Sequence, residues 1–423
     1  MERYSSYKPT SMQWLKEIPS HWEEKRMKYC FSERSEKNHP NEPVLCATQS
    51  QGVIPQSMYA NRVVVVNKGF EGLKLVKEGD FVISLRSFEG GIEYAYYQGI
   101  ISAAYTVLQP NNPQSSNYWK YLFKSQSYIQ LLQTCVTGIR EGQNINYPML
   151  SRAFIPLPPL AEQEKIVSYL ESKTSKIDAY VADKEKEILL LQELKQKTIA
   201  EAVTKGLNPN VKMKDSGISW LGMIPEHWEM KQLRSFLTLF TEKGHGDAQL
   251  LSVTREQGVI ERDKEDKEEN HNFVPDDLSG YKYIEKGDFA INKMKAWQGS
   301  YAVSDYCGIV SPAYFTCKLK GVNKEFFSRA IRSKAYVPFF TQYSKGIRVG
   351  QWDLNPNALK SIPFMLPPVD EQQAIVAHIE DKCQKIDTLT MELQAEIDYL
   401  KEYKQRLIAD VVTGQVNVQN ETI

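Results

Sequence analysis

The sequence has 423 residues, 42% hydrophobic, 25% charged and 11% aromatic, with 52 basic side chains balancing 52 acidic ones and a mean hydropathy of −0.45. At roughly 150 residues per domain it should hold about two or three ordinary domains, and the composition excludes a disordered or fibrous chain. No run approaches the ~18 apolar residues of a membrane span, and the first residues carry no apolar secretory core, so an intracellular protein is expected.

In chain order, the first signal is repetition. Trp14-Leu15, Ile18-Pro19 and His21-Trp22-Glu23 return as Trp220-Leu221, Ile224-Pro225 and His227-Trp228-Glu229, and Gln51-Gly52-Val53-Ile54 returns as Gln257-Gly258-Val259-Ile260, an offset of 206 residues. Gly79-Asp80-Phe81 and Gly138-Ile139-Arg140 recur as Gly287-Asp288-Phe289 and Gly346-Ile347-Arg348 at an offset of 208. Leu157-Pro158-Pro159, Glu162-Gln163, Ile166-Val167 and Lys176-Ile177-Asp178 recur as Leu366-Pro367-Pro368, Glu371-Gln372, Ile375-Val376 and Lys385-Ile386-Asp387 at 209. Two copies of one unit form the chain, each with a variable front and a more constrained back.

The fronts read as mixed α/β domains. Apolar β-prone runs predict strands at residues 63–66, 81–84 and 105–108 in the first copy and 289–292 and 314–319 in the second. A shorter helix is expected over residues 118–135 and again over 324–343.

The backs read as long helices. Ile166, Leu170, Ile177, Val181, Ile188 and Leu191 form a heptad-like seam, as do Ile375, Ile379, Ile386, Leu393, Ile397, Leu400, Leu407 and Val411. Neither stretch contains an internal Gly or Pro, and each starts after a Pro-Pro pair followed by Glu-Gln. Residues 160–203 would make a rod of roughly 66 Å. Residues 160–203 and 368–412 together hold 12 basic and 19 acidic side chains, a net of −7, so the rest of the neutral chain carries +7. The fronts are the basic part, as a phosphate-binding surface requires.

The ordered set of Ile-Pro-x-His-Trp-Glu openings (Ile18 to Glu23, Ile224 to Glu229), Gly-Ile-Arg-x-Gly-Gln segments (Gly138 to Gln143, Gly346 to Gln351) and Leu-Pro-Pro, Glu-Gln helix starts resembles the specificity (S) subunit of Type I restriction-modification enzymes. The resemblance covers nearly the whole chain. It implies two target recognition domains (residues 1–156 and 217–365), each reading one half of a gapped DNA sequence. The long helices (157–205 and 366–413) would space them and dock modification subunits, with a linker at 206–216 and a tail at 414–423. It further implies a non-catalytic cytoplasmic chain for phage defence. Two modification subunits would supply S-adenosylmethionine-dependent adenine methylation, and two restriction subunits would supply ATP- and magnesium-dependent translocation and cleavage.

Topology supports the spacer role. The first helix delivers the chain to the second domain, so a second helix packed on the first must run back, as an antiparallel coiled coil with a pseudo-two-fold axis. A rod of ~66 Å approaches two DNA turns of ~34 Å.

Arg140, Gln143 and Asn144, with Arg348, Gln351 and Trp352, are candidate DNA contacts, because flanking glycines allow close approach and Arg and Gln suit bidentate base recognition. A structural turn, or an Arg on phosphate, would look the same in sequence. The loop after Gly-Asp-Phe supplies Arg86 and Phe88 in one copy and Lys293, Lys295 and Trp297 in the other, and Lys68 is a weaker case. An ordinary solvated hairpin is the alternative there. His21-Trp22 and His227-Trp228 have no acid or cysteine partner nearby in sequence and read as structural.

The six cysteines form no C-x-x-C pair, which suggests reduced thiols. There is no G-x-x-x-x-G-K-[ST], G-x-S-x-G or H-E-x-x-H. Asn355-Pro356-Asn357 is not the Asn-Pro-Pro-aromatic motif of amino-methyltransferases. A nuclease-like set from Asp247, Glu265 and Lys267 has no counterpart in the other copy. A coiled-coil scaffold binding proteins only is the rival reading, and it predicts no salt-sensitive DNA affinity.

Overall fold

A computed structural model describes residues 2–59, 69–138, 144–263, 275, 277–346 and 352–421. The chain divides into two compact units, Met1–Glu185 with Gln394–Ile423, and Lys186–Leu393. The boundaries cut through both long helices, so each unit contains half of each. Among the described residues no helix is long and apolar enough to cross a membrane.

Each unit is built on a four-stranded antiparallel sheet with the same strand order. In the first the order is Phe31–Glu33, Thr106–Pro110, Phe81–Ile83, Glu93–Tyr94, and in the second it is Leu237–Phe240, Phe315–Leu319, Phe289–Ile291, Tyr301–Val303. Val107 pairs with Val82 and Thr316 with Ala290. The mixed α/β reading therefore takes its α+β form. A hairpin packs nearby in each unit, Leu45–Thr48 with Gly52–Pro55 and Leu251–Thr254 with Gly258–Glu261. The strand expected at residues 63–66 lies outside the described residues.

The repeated Gly-Asp-Phe is a structural corner. Asp80 is buried, accepts the Lys77 amide at 2.8 Å and meets Arg34 at 2.7 Å. Asp288 likewise accepts the Glu285 amide at 2.9 Å and meets Lys318 at 2.9 Å. The following Phe81 and Phe289 are fully buried.

The helix expected over residues 118–135 is two helices, Ser116–Leu122 and Gln126–Thr134. Ser125 interrupts it by accepting the Tyr128 amide as an N-cap, so that Phe123 and Tyr128 both enter the core with ring centroids 4.8 Å apart. Its counterpart splits into Lys324–Arg332 and Val337–Tyr343, where Pro338 opens the second helix.

The long helices run over Leu160–Lys205 and Val369–Val412. The Glu-Gln starts have a physical reason. Gln163 and Gln372 each turn back to donate to the carbonyls of Pro158 and Pro367 at 2.8 Å, covering acceptors beside the prolines. Gly206 (φ +72°) and Gly414 (φ +74°) end the helices in the left-handed region. A Cβ on Gly206 would lie 2.7 Å from a Glu371 carboxylate oxygen, and one on Gly414 would lie 2.5 Å from Pro19.

Within each unit the two helical halves run antiparallel. In the first, Lys404 meets Asp178 at 2.6 Å and Lys401 meets Glu185 at 3.0 Å, while in the second Lys195 meets Asp387 at 2.6 Å. Ile166, Leu170, Val181, Ile375, Ile379, Leu393, Ile397, Leu407 and Val411 are buried. Ile177, Ile188, Leu191, Ile386 and Leu400 are half-buried. The seam is more than a helix-to-helix contact. Ile166, Leu170, Leu407 and Val411 share one core with Trp22, Tyr118 and Ile155, and Ile375 and Ile379 share another with Trp228 and Phe364.

Candidate nucleic-acid interface

The loop after the first Gly-Asp-Phe strand closes into a short helix, Ser87–Gly90, started by Ser87 Oγ accepting the Ser84 amide at 2.8 Å. Arg86 precedes it and is exposed, while Phe88 is half-buried. On either side of residues 139–143 the strands Val136–Thr137 and Asn144–Ile145 pair antiparallel. Asn144 is exposed on its returning strand, which lies beside the Ser87–Gly90 helix. Lys68, Arg140 and Gln143 fall outside the described residues.

The second unit repeats the arrangement with different side chains. Ser344–Lys345 pairs with Asp353–Leu354, and Arg348 and Gln351 between them fall outside the described residues. Trp352 stands at the returning strand with its ring centroid 5.0 Å from that of Trp297. The Leu354 amide donates to the Lys293 carbonyl at 3.1 Å, and Thr341 Oγ1 donates to the Trp297 carbonyl at 2.9 Å. Two segments that the sequence treats separately are thus one surface in each unit. Lys295 is exposed at its apex. Lys293 is not the free cation its sequence suggests, because its ammonium lies 3.3 Å from the Asp353 carboxylate.

The histidines also need correction, since both have an acid partner distant in sequence. His21 Nε2 lies 2.8 Å from the buried Glu162 carboxylate, which also takes the Tyr4 hydroxyl. His227 lies 2.7 Å from Glu371, which accepts Trp228 Nε1 at 3.0 Å. Each pair ties the His-Trp opening to the first turn of a long helix, so the structural role stands on a contact. Nothing short-range in sequence signals it.

Two basic side chains with no signal in the sequence, Lys124 and Arg332, are held among backbone carbonyls. Lys124 Nζ donates to the carbonyls of Gln49 (3.1 Å) and Gly90 (2.8 Å) and to the buried Glu93 carboxylate (2.6 Å). Burial raises the Glu93 pKa to about 7 against the opposing pull of Lys124. Arg332 donates to the carbonyls of Arg255 (3.1 Å), Glu256 (2.7 Å) and Tyr301 (3.1 Å), and burial lowers its pKa.

Asn355 caps the helix Pro356–Ser361 by accepting the Ala358 amide, which accounts for Asn355-Pro356-Asn357 without chemistry. All six cysteines are free, and burial raises Cys30 to about 11 and Cys317 to about 12. Among the described residues no group of three or more His, Cys, Asp or Glu is placed to hold a metal ion. Glu265 and Lys267 lie outside the described residues.

Residues 21–190 match the family model described as Type I restriction modification DNA specificity domain. The Type I restriction enzyme MjaVIII specificity subunit of Methanocaldococcus jannaschii is 25% identical over 367 residues, covering 82% of this chain and 81% of that protein. Two solved structures share the fold. One, from a study of complex assembly and conformational transition of the type I R-M system, has a TM-score of 0.64 at 15% identity, covering 94% of this chain and 99% of the other. The HsdS subunit from Thermoanaerobacter tengcongensis has a TM-score of 0.50 at 15% identity, covering 94% and 98%. Residues 21–190 thus match a DNA specificity domain, and along most of its length the chain is similar to specificity subunits of Type I restriction enzymes, which supports a DNA sequence-specificity subunit. The reading as a coiled-coil scaffold binding proteins only is set aside.

Proposed function

We propose that each unit's front is a target recognition domain reading one half of a gapped, bipartite DNA sequence. The observation that carries this is the shared scaffold. In both units the loop after Gly-Asp-Phe lies beside a returning strand, Asn144–Ile145 or Asp353–Leu354, while the side chains displayed there differ, Arg86, Phe88 and Asn144 against Lys295, Trp297 and Trp352. Two different displays on one frame suit two different half-sites.

The chain itself is non-catalytic in this reading and acts in the cytoplasm. Two modification subunits dock on the long helices and methylate adenine with S-adenosylmethionine, and two restriction subunits bring ATP, magnesium, translocation and cleavage. The recognition domains span residues 1–156 and 217–365, and the helical spacers 157–205 and 366–413.

Methylation profiling of cells carrying variants in residues 290–300 tests the proposal. Lys295→Ala and Trp297→Ala are expected to alter one half of the methylated motif, at a cost of roughly 1 to 3 kcal/mol at the affected position. A change in both halves together, or in neither, would reject the assignment of one domain to one half-site.

A further inference from the structure

The repeated Gln-Gly-Val-Ile marks a turn that the two loops above leave unexplained. Thr48 Oγ1 donates to the Gly52 carbonyl at 2.9 Å and accepts the Gln51 amide at 3.0 Å. Thr254 makes the same pair of bonds to Gly258 and Gln257, both at 3.1 Å. The glycines are forced, with φ of +73° and +80°, and a Cβ on Gly52 would sit 2.6 Å from the Tyr94 carbonyl oxygen. On this shared frame the exposed tips differ, Gln49-Ser50-Gln51 against Arg255-Glu256-Gln257.

The tip is fastened to the end of the loop after Gly-Asp-Phe in the first unit, and to the strand that directly follows that loop in the second. Lys124 bonds the carbonyls of Gln49 and Gly90 together, and Arg332 bonds those of Arg255, Glu256 and Tyr301. The side chains lean the same way. A Cβ on Gly90 would lie 2.8 Å from Gln49 Cγ and Cδ, and one on Gly299, at the end of the second loop, would lie 4.0 Å from Arg255 Cγ. A cation thus bridges the tip to its neighbour in both units, Lys124 being paired with the Glu93 carboxylate as well, so the position of this seam is fixed twice.

The varied residue at the seam is an amide in one unit and a guanidinium in the other, the two groups suited to bidentate contact with adenine and guanine edges. Arg255 is exposed, with Nε 3.3 Å from the equally exposed Glu256 carboxylate, so its guanidinium is open to a ligand. Arg255 and Gln257 also rim a cleft of about 930 Å³.

We propose that Gln49 and Arg255 are specificity-determining residues, each donating to a base edge adjacent to those read by its neighbouring loop, with Lys124 and Arg332 as positioning residues. The inference rests on the reading that these loops face DNA.

The test is methylation profiling of the full complex carrying Gln49→Ala, Arg255→Gln, Lys124→Met or Lys124→Arg, with thermal melting as a control on folding. Gln49→Ala and Arg255→Gln are expected to relax one base position in one half-site by about tenfold or more and to leave the other half intact. Lys124→Met should relax the same half-site as Gln49→Ala, and Lys124→Arg should restore it. Unchanged motifs in the Gln49 and Arg255 variants, or equal weakening on all sequences, overturn the inference. If Lys295→Ala still alters one half-site in that case, the reading of the loops survives. If it does not, both fall.

Discussion

The backbone amide of Asn417 donates to the carbonyl of Glu2 at 2.9 Å, joining the two ends of the described chain. Around it the Tyr7 hydroxyl donates to the Gly414 carbonyl at 2.9 Å and Gln415 donates to the Glu17 carbonyl at 3.0 Å. In the second unit the equivalent path from Gly206 to the strand Met213–Asp215 is continuous chain. A permutant with its ends joined by a short linker and a new opening near Asn208 is therefore expected to fold and to support the complex. Loss of cooperative melting in that permutant would contradict the arrangement.

Charge segregation carries a second prediction. With the long helices at −7 and the remainder at +7, duplex DNA affinity should fall steeply with salt. About six phosphate contacts would lose roughly a thousandfold between about 50 and 200 mM. Equal affinity in titrations at the two salt concentrations would refute it.

Glu162 joins Tyr4 and His21 at the start of the first long helix while itself buried. Glu162→Ala strips both of their partner and should destabilise the first unit by about 1 to 3 kcal/mol. Glu371→Ala should act similarly on the second unit through His227 and Trp228. Calorimetric unfolding of each variant checks this, and unshifted transitions would show the contacts to be incidental.

Glu93 gives a pH dependence of definite sign. Its folded pKa of about 7 exceeds the ordinary value of 4.5, so the folded state holds the proton more tightly than the unfolded chain. Its stabilising contribution is full below pH ~4.5 and is lost as pH rises through ~7. The difference is about 3 kcal/mol. Thermal unfolding of Glu93→Gln at pH 5 and pH 8 should show a flatter dependence than the parent chain, and an identical slope would remove Glu93 from the account.

The long helices were legible because more than forty residues without an internal Gly or Pro, carrying an apolar seam, have few other ways to fold. The breaks at Ser125 and Pro338 were not, since each depends on how Phe123, Tyr128 or Phe339 enters a core that local periodicity cannot describe. Loop candidates were readable one at a time, but the approach of Trp297 to Trp352 spans 55 residues of sequence and follows only from the docking of Leu354 on the Lys293 carbonyl. Nothing in the local sequence of Lys124 or Arg332 announces the carbonyls that surround them, which come from segments about 30 to 80 residues away. His21 and Glu162 are 141 residues apart, and their pairing needs the fold.

Because the first unit is closed by residues 394–423 while the second is one contiguous stretch, the order of synthesis and the order of completion are reversed. The ribosome makes the first front early, yet Leu407, Val411 and Val418 of its core arrive only at the end. The Tyr7 to Gly414 bond bridges 407 positions. Such distant closure is slow and leaves apolar surface exposed in the interval. A chain truncated before residue 400 and released would therefore hold one complete unit and one left open.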